Sequence, residues 1–254
     1  MRRLAIVLLA GAIALVAIGF TQFRLLRQRG SAGIAMLALD VSESMSRADV
    51  EPSRLEAAAD AARAFLDGLP ADLSVGLVTF SGTARTLVPP TTERDQLVGA
   101  LDELPRGEGT VIGDAISVAL DAVESRWGEE GEVPAAIVLL SDGRDTGSTV
   151  PPQEGADRAG RLGVPVYTVV VGRDLSGEQA GANMELMEGI AETTDASAFT
   201  ATTAGGLIEV YDTLRSQLST ELAVTDFGAL FFGAAGVLAF AATIALLVAL
   251  RSEP

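Results

Sequence analysis

The sequence predicts an α/β fold, a doubly wound and mainly parallel sheet with helices on both faces, flanked by two transmembrane helices. Three observations predict it. Short apolar runs at residues 34–39, 136–140 and 164–171 read as strands buried on both faces. Stretches with apolar residues at helical spacing lie between them. Two long uncharged runs, 4–23 and 227–250, stand outside this pattern on either side.

The first uncharged run has twenty residues, about 30 Å of helix and so the thickness of a bilayer's hydrocarbon core. Arg24, Arg27 and Arg29 follow it, a cluster that marks a membrane edge rather than a signal-peptide cleavage site. Residues 1–30 are therefore assigned to an anchor with a basic flank, 31–220 to one α/β domain, and 221–254 to a second span, an uncharged run of 24 residues, with a short tail. Two spans put both termini on the same side. Arg2, Arg3 and Arg251 on one side nearly balance Arg24, Arg27 and Arg29 on the other, so charge leaves the orientation open.

Within the domain, 34–39 is the first strand. Pro52 opens a helix carrying Leu55, Ala58, Ala62, Phe65 and Leu69 on one stripe. Residues 73–80 and 83–88 read as two strands joined by a Ser81-Gly82 turn, the one antiparallel hairpin expected in the sheet, with Pro89-Pro90 ending it. Residues 93–104 and 113–127 read as helices, 136–140 as a strand, 153–162 as a helix and 164–171 as a strand. A helix at 184–193, a short strand at 198–200 and a helix at 207–218 complete the domain.

Composition removes whole classes of chemistry. The chain has no Cys, no His and no Lys. That excludes thiolate zinc sites, Ser-His-Asp triads, Walker-A phosphate binding and Schiff-base lysines. The net charge is -16, and residues 31–220 hold 31 acids against 12 Arg, leaving -19. No basic footprint for nucleic acid exists.

The chemistry that remains sits at strand ends, where ligands of such sheets bind. The first strand ends in Asp40-Val41-Ser42-Glu43-Ser44, the later apolar strand in Ser141-Asp142-Gly143, and a loop between them carries Thr110. All the donors offered are oxygens, a set that suits a hard cation, Mg2+ ahead of Mn2+ or Ca2+. Taken singly, Ser42 and Ser44 read equally as helix caps, Thr110 as the cap of the helix after it, and Ser141-Asp142-Gly143 as a turn. Glu43, Asp114 and Asp145 read as solvated charges or caps, and Trp127 as packing.

In combination, Asp40, Ser42, Ser44, Thr110 and Asp142 resemble the metal-ion-dependent adhesion site of von Willebrand factor type A (VWA) domains, in identity, order and spacing. The resemblance covers residues 33–218. It implies that Ser42, Ser44 and Thr110 bind the metal directly or nearly so, that Asp40 and Asp142 act directly or through water, and that a partner protein supplies an Asp or Glu to an open position. With its flanking spans, the chain resembles bacterial aerotolerance-operon (Bat-type) membrane proteins. That likeness implies a cell-membrane protein with its domain outside the cytoplasm, assembling with related VWA proteins. Two other readings are kept. Asp40 at a strand end also resembles a phosphatase nucleophile of the haloacid-dehalogenase type, but that chemistry wants an acid where Ser42 stands and a Lys this chain lacks. A channel component or regulator is the third, although the two apolar runs carry no charge for an ion path.

Overall fold

The computed structural model describes residues 33–142, 144–172 and 178–221. Both apolar runs assigned to membrane spans lie outside them. Among the described residues, no helix is long and apolar enough to cross a membrane.

Six strands form one sheet in the order β3-β2-β1-β4-β5-β6. They are β1 (Ile34–Asp40), β2 (Ser74–Phe80), β3 (Ala84–Thr91), β4 (Ala135–Ser141), β5 (Val166–Val171) and β6 (Ala198–Ala201). All neighbours pair in parallel except β2 and β3. The helices are α1 (Arg54–Gly68), α2 (Arg94–Asp102), α3 (Ile112–Glu130), α4 (Pro152–Leu162), α5 (Glu178–Thr193) and α6 (Ala204–Glu221).

Every residue of β1, β2, β4 and β5 is buried, as expected for parallel strands covered on both sides. The period of two splits them between two cores. Ala35, Leu37 and Leu39 face one core with Val138, Leu140 and residues of α1, α2 and α6, such as Phe65, Leu97 and Tyr211. Ile34, Met36 and Ala38 face the other, with Ile137, Leu139 and residues of α3, α4 and α5, such as Ile116, Ala156 and Met187.

Three local expectations change. β3 runs through Pro89 and Pro90 to Thr91 instead of stopping before them. It is the edge strand, paired only with β2, and its register shifts opposite Val75 and Leu77. Missing N–H groups are tolerated at such an irregular edge. The hairpin loop holds three residues rather than two, with the Ser81 N–H donating to the Thr83 carbonyl at 3.1 Å. The helix read from Pro52 begins at Arg54, because Ser53 caps it by accepting the Glu56 N–H at 3.2 Å. Ser53 and Glu56 have the spacing of a capping box.

Candidate metal centre

Register builds the centre. Leu39 of β1 lies opposite Leu140 of β4, so the next pair, Asp40 and Ser141, meets on the α3 face of adjacent strands. The Ser141 hydroxyl donates to Asp40 Oδ2 at 2.5 Å. The Ser42 N–H donates to Asp40 Oδ1 at 2.8 Å. Asp40 is 0% exposed. Burial pushes its carboxyl up to about 6, the hydrogen bonds from Ser141 and Ser42 pull against that, and the neighbouring charge of Asp142 adds to it.

After β1 the chain makes one 3-10 turn, Glu43–Ser46, pinned by the fully buried Met45. Ser42 precedes this turn but makes no side-chain cap bond. Its hydroxyl instead shares a hydrogen bond with that of Ser44 at 3.0 Å. The alternation Ser42, Ser44 thus brings two hydroxyl oxygens side by side, and the capping alternative does not hold.

Thr110, 4% exposed, immediately precedes Val111, the N-cap residue of α3, and does not cap it. The first N–H groups of that helix go elsewhere: Ile112 donates to Asp145 Oδ1 at 2.8 Å and Gly113 to the Ser148 hydroxyl at 3.0 Å. Asp114 accepts the N–H groups of Thr149 and Val150 at 3.0 and 2.8 Å. Asp114 and Asp145 are therefore the clasps between α3 and the loop after β4. Thr110 itself donates its N–H to the Thr146 hydroxyl at 2.8 Å and accepts the Thr146 N–H at 2.9 Å. On its other side the same loop bridges Ser42 through Gly107, whose N–H donates to the Val41 carbonyl at 3.1 Å. The three predicted loops are stitched together through their backbones. Glu43 is exposed, and Trp127 packs with its indole N–H on the Val133 carbonyl at 2.8 Å.

Asp142 follows β4. Its Oδ2 accepts from Arg54 at 3.2 Å, while its Oδ1 is buried and has no hydrogen-bond partner. Arg54 is the residue that sequence reading missed. It is 6% exposed and also donates to both oxygens of Asp49, at 2.8 and 2.7 Å; these bonds keep its guanidinium protonated. Its place depends on Gly172 at the end of β5, where an added Cβ would fall 2.9 Å from the guanidinium. In sequence Arg54 looks like an ordinary first-turn helix residue, and nothing local marked it.

An orphaned, buried carboxylate oxygen costs at least ~1–3 kcal/mol unless something satisfies it. Here it belongs to a carboxylate whose charge bears on Asp40, and the cluster continues from Asp40 to the Ser42 N–H that it accepts and to the Ser42–Ser44 hydroxyl pair. No group of three His, Cys, Asp or Glu suited to a metal forms among the described residues; the cluster relies on hydroxyls instead. An all-oxygen set with two carboxylates and neutral hydroxyls fits a hard divalent cation.

The family model for the von Willebrand factor type A domain matches residues 35–144, which include all five predicted site residues. Over 233 residues the chain is 37% identical to a UPF0353 protein of Mycobacterium bovis, covering 85% of this chain and 69% of that one. The chain belongs to the UPF0353 family. A second UPF0353 relative, from Mycobacterium sp. strain KMS, is 35% identical over 266 residues, covering 97% of this chain and 79% of its own.

Among solved structures, BatB of Bacteroides thetaiotaomicron superposes on this UPF0353 protein with a TM-score of 0.61 at 24% identity, over 74% of this chain and 98% of BatB. An aerotolerance-related membrane protein of Bacteroides fragilis gives 0.60 at 24%, with the same coverage. The von Willebrand domain of the pilus tip protein Mfa5 of Porphyromonas gingivalis gives 0.61 at 14%, over 77% of this chain and 98% of that domain. These likenesses show a shared fold, and the domain of this UPF0353 protein is a VWA domain.

Proposed function

We propose that this VWA domain is a divalent-cation-dependent protein-binding module held at the membrane, and not an enzyme. Asp40, Ser42, Ser44, Thr110 and Asp142 hold the cation, Mg2+ in preference to Mn2+ or Ca2+. The observation that carries this reading is the buried, unpartnered Oδ1 of Asp142, whose carboxylate charge bears directly on the buried Asp40. When bound, the cation supplies a Lewis-acidic position for an outside oxygen, because Mg2+ keeps exchangeable water where the protein offers no ligand. Asp40 orients the Ser42 amide and the Ser141 hydroxyl, and Arg54 leaves a single oxygen of Asp142 uncommitted. The ligand that fits the open position is an Asp or Glu of a partner protein.

Two features speak against hydrolysis. Asp40 is buried beneath its own hydrogen bonds from Ser42 and Ser141 rather than aimed outward as a nucleophile. Ser42 stands where a second acid would serve as proton donor.

Membrane attachment rests on the uncharged runs 4–23 and 227–250 and agrees with the description of the Bacteroides fragilis structure as a membrane protein. We place the domain outside the cytoplasm, in a complex with related VWA proteins. The test is Mg2+ titration of the full chain beside a Ser42→Ala, Ser44→Ala variant, then affinity capture of partners in Mg2+ and in chelator. Saturable Mg2+ binding lost in the variant, with capture that chelator abolishes, is expected. Equal Mg2+ binding by both proteins would overturn the site.

A further inference from the structure

A polar cleft of about 200 Å3 adjoins the centre, lined by Val41, the hydroxyl residues Thr79, Ser81 and Thr83, and the arginines Arg85 and Arg106. Val41 separates Asp40 from Ser42 in the chain, so cleft and centre share one stretch of backbone.

The walls are held in place. Gly107, next to Arg106, lies so close to the β2–β3 hairpin that an added Cβ would fall 2.3 Å from the Ser81 hydroxyl oxygen. A Cβ on Gly82 would fall 2.8 Å from the Glu108 carbonyl oxygen. The loop carrying Arg106 is thereby packed against the hairpin carrying Arg85.

Both arginines are exposed, and neither side chain forms an ion pair or hydrogen bond among the described residues. Arg54, Arg63, Arg126, Arg158 and Arg215 all pair with carboxylates of the domain. In a domain with 31 acids and 12 Arg, two unpaired arginines lining one cleft form a local positive feature on an acidic body. A cleft of this size lies below the roughly 300–1,000 Å3 of small-molecule pockets and matches a single side chain. Guanidinium groups recognise carboxylates through paired N–H donors. The domain's overall negative field is screened within about 8 Å at physiological salt, so contacts at this face decide what binds.

We propose that the cleft is a second carboxylate subsite: the partner presents two acidic residues, one to the divalent cation and the other to Arg85 and Arg106. The first half rests on the function proposed above; the arginine subsite stands on its own geometry.

The experiment is fluorescence anisotropy of the full chain with labelled Gly/Ser peptides bearing one Asp, or two acids separated by spacers of graded length. In Mg2+ the best two-acid peptide is expected to bind about fivefold tighter than the one-acid peptide. Arg85→Ala, Arg106→Ala should erase that advantage and leave Mg2+ affinity and one-acid binding unchanged. In chelator the two-acid peptide should keep an advantage that the same variant removes. A one-acid peptide indifferent to Mg2+ would refute the metal reading alone, since the chelator arm reads the arginines separately. A two-acid advantage that is absent, or that survives the double substitution, would overturn the subsite. So would inorganic phosphate binding at Arg85 and Arg106 while no two-acid peptide gains.

Discussion

Replacing Asp40 by Asn separates the cost of the metal-free centre from its use. Asp40 is wholly buried, and its carboxyl titrates at about 6 instead of the ordinary 3.8. At ~1.4 kcal/mol per unit, holding it ionised at neutral pH costs the metal-free fold up to ~3 kcal/mol. Asn carries no charge, and its single carbonyl oxygen can accept from the Ser141 hydroxyl or the Ser42 N–H but not both, a loss of ~1 kcal/mol. Asp40→Asn should therefore stabilise the metal-free protein by about 2 kcal/mol, a rise of about 6 °C for a domain of this size. Magnesium works the other way. At about 100 times its dissociation constant, a ligand that binds only the folded state adds ~2.7 kcal/mol. The original protein should gain that amount and the variant little of it, so the difference between them closes or inverts. Trp127, the only tryptophan, is tied to Val133 across the end of α3 and reports urea unfolding by its fluorescence, in chelator and in Mg2+. A variant less stable than the original in chelator, or one that gains equally from Mg2+, refutes the reasoning.

The same carboxyl sets a pH dependence for the metal-free protein. Its folded pKa is raised, so its favourable contribution is complete below about 4 and is lost as pH rises through about 6. Urea midpoints in chelator should show that fall in the original protein, and Asp40→Asn should lack it. Ser42→Ala, Ser44→Ala should weaken Mg2+ by about tenfold or more while changing metal-free stability by less than ~1 kcal/mol, as titration calorimetry and urea unfolding would measure. Arg54→Met leaves Asp142 and Asp49 without their cation, and metal-free stability should fall by about 2–3 kcal/mol, short of the full cost of breaking a deeply buried pair because Asp49 is 28% exposed at its side chain. Gly113→Ala places a Cβ 1.9 Å from the Val150 carbonyl oxygen. It should cost about 1–3 kcal/mol and weaken Mg2+ by parting the loops around Thr110, both seen in the same unfolding assay.

The layered fold was legible because burial on both faces leaves its mark in every residue of a strand. The apolar runs at 34–39 and 136–140 needed no partner to be recognised, and each falls within an observed strand. Edges were harder. β3 continues through Pro89 and Pro90 because it is the outermost strand, and position in the sheet is a property of the whole fold.

Sequence by itself determined the residue types at the strand ends, their order, and the oxygen-only character that points to a hard cation. Those follow from identity and spacing along one chain. Only the tertiary structure decided that Ser141 bonds Asp40, that Asp114 and Asp145 clasp a loop instead of facing water, and that Arg54 holds Asp142 across 88 residues of chain. Such contacts depend on register and on which helix covers which face, and no short window of sequence carries that information.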